Sequence, residues 1–226
     1  MIAEILPAPV RWAYSFTDRE DIELFPQERA VIANAVEKRR SEFTTVRACA
    51  REALGALGVA PVPLVPGEAG APSWPDGVVG SMTHCAGYRA AVVARDSDVA
   101  ALGIDAEPNE PMPEGVLEAI ARPEDLAALA GLPASAGIAW DRLLFSAKES
   151  VYKAWFPLAR KWLDFEEAVV VIDPDGTFTA RILIPGPMLL GRPLTGFSGR
   201  WAAGNGLVMT AIAVLQDTSP NDTPDD

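Results

Sequence analysis

Residues 140–156, WDRLLFSAKESVYKAWF, constrain the fold of this chain most. Apolar side chains recur at Leu144, Ala147, Val151, Ala154 and Leu158, in steps of three and four that describe one face of a helix. Ser146, Glu149, Ser150 and Lys153 fall on a different face. Pro157 cannot continue the helical hydrogen-bond ladder and should end or bend the helix. One helix thus carries a carboxylate and an ammonium four residues apart, away from its core face. Alone, such a pair reads as a solvated helix pair contributing about 0.2–0.5 kcal/mol. Ser146 and Glu149 also fit a capping box, if the helix begins there.

The rest of the chain alternates helices with short strands. Residues 1–26 are Pro-punctuated and leave room for one short strand. A helix is predicted from Pro26 to about Lys38. A second runs over Ser41–Leu57, with Phe43, Val46, Ala50, Leu54 and Leu57 on one face and Gly58 as its stop. After a Pro- and Gly-rich loop over 58–77, three strands are predicted: Val78–His84, Tyr88–Ala94 and Val99–Ala106. Turn residues separate them, which predicts an antiparallel meander. A Pro-rich connector at 108–113 leads to a helix near 115–121, a loop containing Pro123 and Pro133, and the helix of 140–156. Strand pairs follow at 168–172 with 177–184, and at 199–203 with 207–215. The fold class is therefore α+β, in two similar halves related by a pseudo-two-fold, 1–107 and 108–216. An acidic, disordered tail is expected at 217–226. A ligand cleft between the halves is the natural site.

Charge and length exclude several functions. The net charge is −12, and four of the carboxylates lie in the tail, leaving −8. Nucleic acid requires a dominant basic surface and is not an expected partner. No apolar run is long enough to span a membrane, and no basic start precedes an apolar segment, so the expected location is cytoplasmic. Cys49 and Cys85 are too few for a disulfide framework and read as small buried hydrophobes.

The chemistry-bearing residues lie far apart in sequence. Asp105 and Glu107 are two apart at a predicted strand end and point to one side. Two acids there repel each other unless a cation or a donor cluster meets them; an exposed strand end is the alternative. Oxygen-only ligands favour a hard cation, Mg²⁺ before Zn²⁺, and Glu149 would supply a third oxygen. Lys38, Arg39, Arg40, Arg47 and Arg51 are five cations within fourteen residues. They read either as a solvated basic face or as a place for an anion. His84, the single histidine, follows Ser81 and Thr83; it is a packing residue or a donor to a phosphate.

Three ordered segments carry a family resemblance: VGSMTHC at 79–85, LGIDAEP at 102–108 and FSAKESVYK at 145–153. The pairing of G-I-D-x-E with W/F-S-x-K-E-x-x-x-K resembles the Sfp-type 4′-phosphopantetheinyl transferases. KRRSEFTTVR, WPDGVVGSMTHCAGYRAAVV and KAWFPL are similar to its actinobacterial PptT-type and enterobactin-synthase-type subgroups. The similarity runs from about Lys38 to Trp162, and more weakly beyond. It implies a monomeric enzyme that moves the phosphopantetheine arm of coenzyme A onto a serine of an acyl or peptidyl carrier protein and releases 3′,5′-ADP. It also implies two α+β halves with CoA and Mg²⁺, or Mn²⁺, between them. By position, Asp105, Glu107 and Glu149 match the metal-binding acids. Glu149 also matches the general base, and Lys153 the lysine at the pyrophosphate. His84 matches a contact to the 3′-phosphate of CoA, and Arg39 and Arg47 match basic residues that hold CoA phosphates. Lys148 assists, and Ser81 and Thr83 lie beside the nucleotide.

One segment departs from the pattern. Relatives often carry Lys in the loop before the W-P pair, but 66–72 (PGEAGAP) has none, which removes one charge contact to CoA. The carrier protein is expected to dock through an apolar patch near 108–133 with a few local cations. Two other functions share these residues. A non-catalytic CoA- or nucleotide-binding module would bind CoA, form no product and need no Mg²⁺. A Mg²⁺-dependent phosphodiester hydrolase would release free phosphopantetheine without an acceptor.

Overall fold

A computed structural model describes residues 1–216, and the tail expected at 217–226 lies outside the described residues. The N-terminal helices are Pro26–Val31 (α1) and Glu37–Ala56 (α2). Proline suits the first turn of α1, where its missing N–H would have no helical partner. α1 ends well before Lys38, and α2 begins before Ser41. Lys38, Arg39 and Arg40 therefore lie in the first turn of α2, not at a junction. Phe43, Val46, Ala50 and Leu54 form its buried face as the periodicity predicts, and the chain turns away at Gly58, whose φ is +70°.

Arg11–Ser15 (β1), Val78–Cys85 (β2) and Tyr88–Arg95 (β3) form an antiparallel sheet in the order β1-β3-β2. The predicted meander stops there. Val99–Pro108 (β4) does not add to this sheet. It pairs instead with Leu207–Leu215 (β10), and Asp105 lies opposite Thr210. The remaining elements are Val116–Ile120 (α3), Pro123–Ala130 (α4), Trp140–Ala159 (α5), Ala168–Asp173 (β5), Thr177–Ile182 (β6), Met188–Leu189 (β7), Arg192–Pro193 (β8) and Gly196–Gly204 (β9). The second sheet runs β4-β10-β9-β6-β5, and β7 and β8 form a small hairpin. Mixed helices and antiparallel sheets make this an α+β fold. The change of sheet comes at the β3–β4 turn and not after Glu107. The apolar run of β4 is buried, so its sequence fits either neighbour equally well.

β2 and β4 meet by side chains, not by a backbone ladder. The Ile104 N–H donates to Ser81 Oγ at 3.0 Å, and the Ala106 N–H donates to Thr83 Oγ1 at 3.2 Å. Both hydroxyls are buried. Two strand-edge donors that would otherwise be orphaned are thereby satisfied at the seam between the sheets.

α5 covers the five-stranded sheet. Leu143, Leu144, Ala147, Val151, Ala154 and Trp155 have no exposed surface. Ser146 and Ser150, expected on the polar face, are also fully buried. Ser146 Oγ meets Thr210 Oγ1 at 3.0 Å, and the Ser150 hydroxyl donates to the Ala147 carbonyl at 2.9 Å. These local bonds let small hydroxyls sit in a core at little cost. α5 runs two residues beyond Pro157 and ends where Arg160 turns left-handed, at φ 49°.

Gly103 sets how closely β4 approaches α5. A Cβ there would lie 2.0 Å from the Ser150 carbonyl oxygen and 2.8 Å from the Ala154 nitrogen. Backbone cannot move aside as a side-chain tip can. Gly103→Ala should therefore cost at least about 3 kcal/mol, the upper end for overpacking. A denaturant midpoint within error of the parent would contradict that close contact.

Two buried acids anchor the helices in the same way. Glu28 closes the first turn of α1 by accepting the Phe25 N–H at 3.0 Å, and Asp125 does the same for α4 with the Arg122 N–H at 2.8 Å. Each accepts a second N–H from a distant segment, Leu64 at 2.9 Å and Val170 at 2.7 Å respectively. Each also holds a cation of the long helix beside it, Arg51 of α2 and Lys148 of α5. Both acids are 0% exposed.

Candidate active site

The seam between the sheets opens into a cleft of about 700 Å³. One wall is α5, whose residues Glu149, Tyr152, Lys153, Phe156, Pro157 and Arg160 follow in steps of one helical stripe. Arg39 and Arg47 of α2, His84 at the end of β2, and the loop 66–74 line the rest of the cleft. Trp74 lies flat against Gly80, where a Cβ would come within 2.6 Å of the indole, so the absent side chain shapes that wall.

The acids of β4 meet α5 at this seam. Lys153 Nζ donates to Asp105 Oδ1 at 2.7 Å, and the Thr83 hydroxyl donates to the same oxygen at 3.1 Å. Asp105 Oδ2 is buried with no hydrogen-bond partner. Glu107 accepts from Arg142 Nη1 at 3.3 Å. Burial, then the Asp105 charge, pushes the Glu107 carboxyl up to about 7, against the pull of Arg142 and Lys153. Burial also pushes the Glu149 carboxyl up; Lys153 opposes this, and the Asp105 charge adds to it. The three carboxylates therefore share one electrostatic neighbourhood. Among the described residues no three His, Cys, Asp or Glu side chains close into a metal-ligand set. Lys153 pairs with Asp105 and Arg142 with Glu107 in this arrangement. The buried, unpartnered oxygen of Asp105 and the mutual repulsion of the acids nonetheless fit a hard cation.

The basic side of the cleft is also built. Arg39 Nη1 donates to His84 Nε2 at 2.8 Å, which leaves the ring proton on Nδ1, facing Glu42 Oε2 at 3.7 Å. Burial lowers the His84 pKa from its ordinary value; Glu42 opposes this, and Arg39 adds to it. Arg47 is largely buried, with its guanidinium carbon 3.6 Å above the Phe43 ring and its Nε donating to the Leu64 carbonyl at 3.1 Å. Burial lowers its pKa to about 10, so it remains a cation at neutral pH.

Of the sequence-predicted residues, Arg39, Arg47, Ser81, His84, Glu149 and Lys153 line the cleft, with Asp105 bonded to Lys153 at its floor. Ser81 and Thr83 spend their hydroxyls on the β2–β4 seam and on Asp105. Those bonds tie β2 to β4 beside the cleft that Ser81 lines. Lys148 is not in the cleft. Its ammonium is buried against Asp125 at 2.7 Å and donates to the Phe165 and Ala168 carbonyls, both at 2.8 Å. One residue along a helix turns the side chain by about 100°, so Lys148 shares the core stripe of Leu144, Val151 and Trp155. The sequence reading missed Arg142, which had a visible signal as a cation at the start of the helix that carries Glu149. It also missed Asp125, hidden in a segment read as loop.

Comparison with known proteins agrees with this geometry. Residues 27–94 match the family model described as the 4′-phosphopantetheinyl transferase N-terminal domain, and residues 101–203 match that of the 4′-phosphopantetheinyl transferase superfamily. The chain is 61% identical over 219 residues to 4′-phosphopantetheinyl transferase Svp of Streptomyces mobaraensis, covering 95% of this chain and 89% of that protein. It is 49% identical over 224 residues to 4′-phosphopantetheinyl transferase PptT of Mycobacterium tuberculosis, covering 95% and 98%. Enterobactin synthase component D of Salmonella typhimurium is more distant, at 34% over 149 residues, covering 63% of this chain and 58% of that protein.

The chain belongs to the 4′-phosphopantetheinyl transferase superfamily. It is an enzyme that transfers the phosphopantetheine group of coenzyme A to carrier proteins. Among the described residues no helix is long and apolar enough to cross a membrane.

Proposed function

We propose that Glu149 is the general base of this transfer, that Lys153 stabilises the leaving phosphate, and that Asp105, Glu107 and Glu149 hold a divalent cation. The observation that carries this reading is the Lys153–Asp105 bond at 2.7 Å, which joins α5 to β4 beside the raised Glu149 carboxyl. The carrier serine hydroxyl gives its proton to Glu149, and its oxygen bonds to the phosphorus that bears the pantetheine arm. The bond from that phosphorus to the 3′,5′-ADP group breaks. A carboxyl raised by burial is a stronger base than an exposed one, as removing a serine proton requires. Lys153 meets charge that develops on the departing phosphate. A bound Mg²⁺ or Mn²⁺ would neutralise the phosphate oxygens. Arg39, Arg47 and His84 bind the phosphates of CoA, with His84 donating from Nδ1 or, once protonated, from both nitrogens.

The carriers are acyl or peptidyl carrier proteins. The transferase names of two relatives support a carrier-protein acceptor, and the enterobactin synthase name of a third fits one. The enzyme is placed in this proposal as a cytoplasmic monomer. The division into halves at 1–107 and 108–216 is supported by the presence of two sheets, with β4 pairing in the second.

Asp105→Ala tests the metal assignment. Lys153 keeps part of its surface in water, so losing its partner should cost only roughly 1–3 kcal/mol of stability. Turnover should fall at least about a hundredfold, and calorimetric Mg²⁺ binding should disappear. Equal proportional losses of melting temperature and turnover, with Mg²⁺ binding intact, would reduce Asp105 to a structural residue.

A further inference from the structure

We infer that buried Glu28 is a positioning residue for CoA binding, acting on Arg47 through the backbone of Leu64. This inference rests on the reading of Arg47 as a CoA phosphate ligand. Leu64 is itself fully buried, and it is held from both sides. Its N–H donates to Glu28 Oε1 at 2.9 Å, and its carbonyl accepts from Arg47 Nε at 3.1 Å. Glu28 has no freedom to drift, because its other oxygen takes the Phe25 N–H at 3.0 Å and Arg51 Nη2. The line therefore runs from a fixed carboxylate, through the backbone of one residue, to one edge of the guanidinium. The Phe43 ring holds the flat face of that guanidinium at 3.6 Å. With Nε and a face occupied, the two Nη groups are the part of Arg47 left to address the cleft it lines. A fork held in this way loses little rotamer freedom when it takes a phosphate.

The repeated anchor separates this role from plain structural support. Asp125 makes the same three kinds of contact in the second half, but its cation, Lys148, lies away from the cleft, and its distant N–H belongs to Val170 in β5. Only the Glu28 copy connects to a cleft cation through its backbone partner. Leu64 also stands two residues before Pro66, where the cleft-lining loop begins. The same carboxylate thus fixes the base of a second wall.

The test is steady-state kinetics with CoA and an apo carrier protein, on the full chain, for Glu28→Gln, Arg47→Ala and the double variant. Glu28→Gln should raise the KM for CoA on the order of tenfold, as expected for a binding group displaced by a fraction of an ångström, with kcat near the parent value. In the Arg47→Ala background the same change should add less than about threefold, because the two residues act on one contact. Glu28→Asp, which keeps the charge but shortens the reach to Leu64, should also raise KM and serves if the Gln variant does not fold. A purely structural role predicts lower melting temperature and lower kcat with KM unchanged, or fully additive effects; either result overturns the inference. If Arg47→Ala itself leaves KM for CoA unchanged, the failure lies with the reading of Arg47.

Discussion

Glu149→Gln should abolish transfer of the phosphopantetheine arm while leaving the protein folded. The expected loss is roughly 10²–10⁴-fold in kcat, the contribution of a positioned general base. Gln keeps the shape of the side chain but cannot accept the serine proton. Stability should not fall, because burial already raises the Glu149 carboxyl and a neutral amide avoids that desolvation cost. CoA binding should persist, since the change leaves Arg39, Arg47 and His84 in place along the cleft. The check is an initial-rate assay beside a thermal melt and a CoA titration. Near-parent turnover by a folded variant would end the base assignment.

The second large effect is on stability. Asp125→Ala should destabilise the protein by about 3–5 kcal/mol, the penalty for leaving a buried charge without its partner. The Lys148 side chain is 1% exposed, and the Phe165 and Ala168 carbonyls alone would remain to it. The variant also loses the acceptor for Val170 and the cap of α4. Urea titration measures the loss, and the KM for CoA of the folded fraction should be unchanged. A loss below about 1 kcal/mol would contradict the buried pair. A selective rise in KM would return Lys148 to the CoA site.

How much of this was legible in the sequence follows from physical period. The faces of α2 and α5 repeat over five turns, long enough for the spacing of apolar residues to fix both helix and orientation. The hairpins at Cys85-Ala86-Gly87-Tyr88 and at Gly204-Asn205-Gly206 announce themselves by turn residues. The partner of β4 was not legible, because an apolar run carries no label for which sheet receives it. α4 was hidden because it has eight residues and begins at Pro123, which marks a loop as readily as a first helical turn. Its kinship with α1 lies in Phe25-Pro26-Gln27-Glu28 and Arg122-Pro123-Glu124-Asp125, too short a match to register as a repeat without the contacts. The acids and cations of the cleft were legible by residue type and spacing. Lys148 was misplaced because a motif ordered along the chain takes no account of the helical turn between neighbours. Ser81 and Thr83 were found, but the backbone donors that occupy them belong to a strand twenty-three residues away.

In the proposed function, acids from β4 and α5 act together at one seam to load a carrier protein with the arm of CoA. The most direct measurement is the intact mass of an apo carrier protein after incubation with the enzyme and CoA, with Mg²⁺ and again with EDTA. The expected result is a gain of one phosphopantetheine with Mg²⁺, and no gain with EDTA until Mg²⁺ is restored. An unmodified carrier under both conditions, or full modification in EDTA, would contradict it.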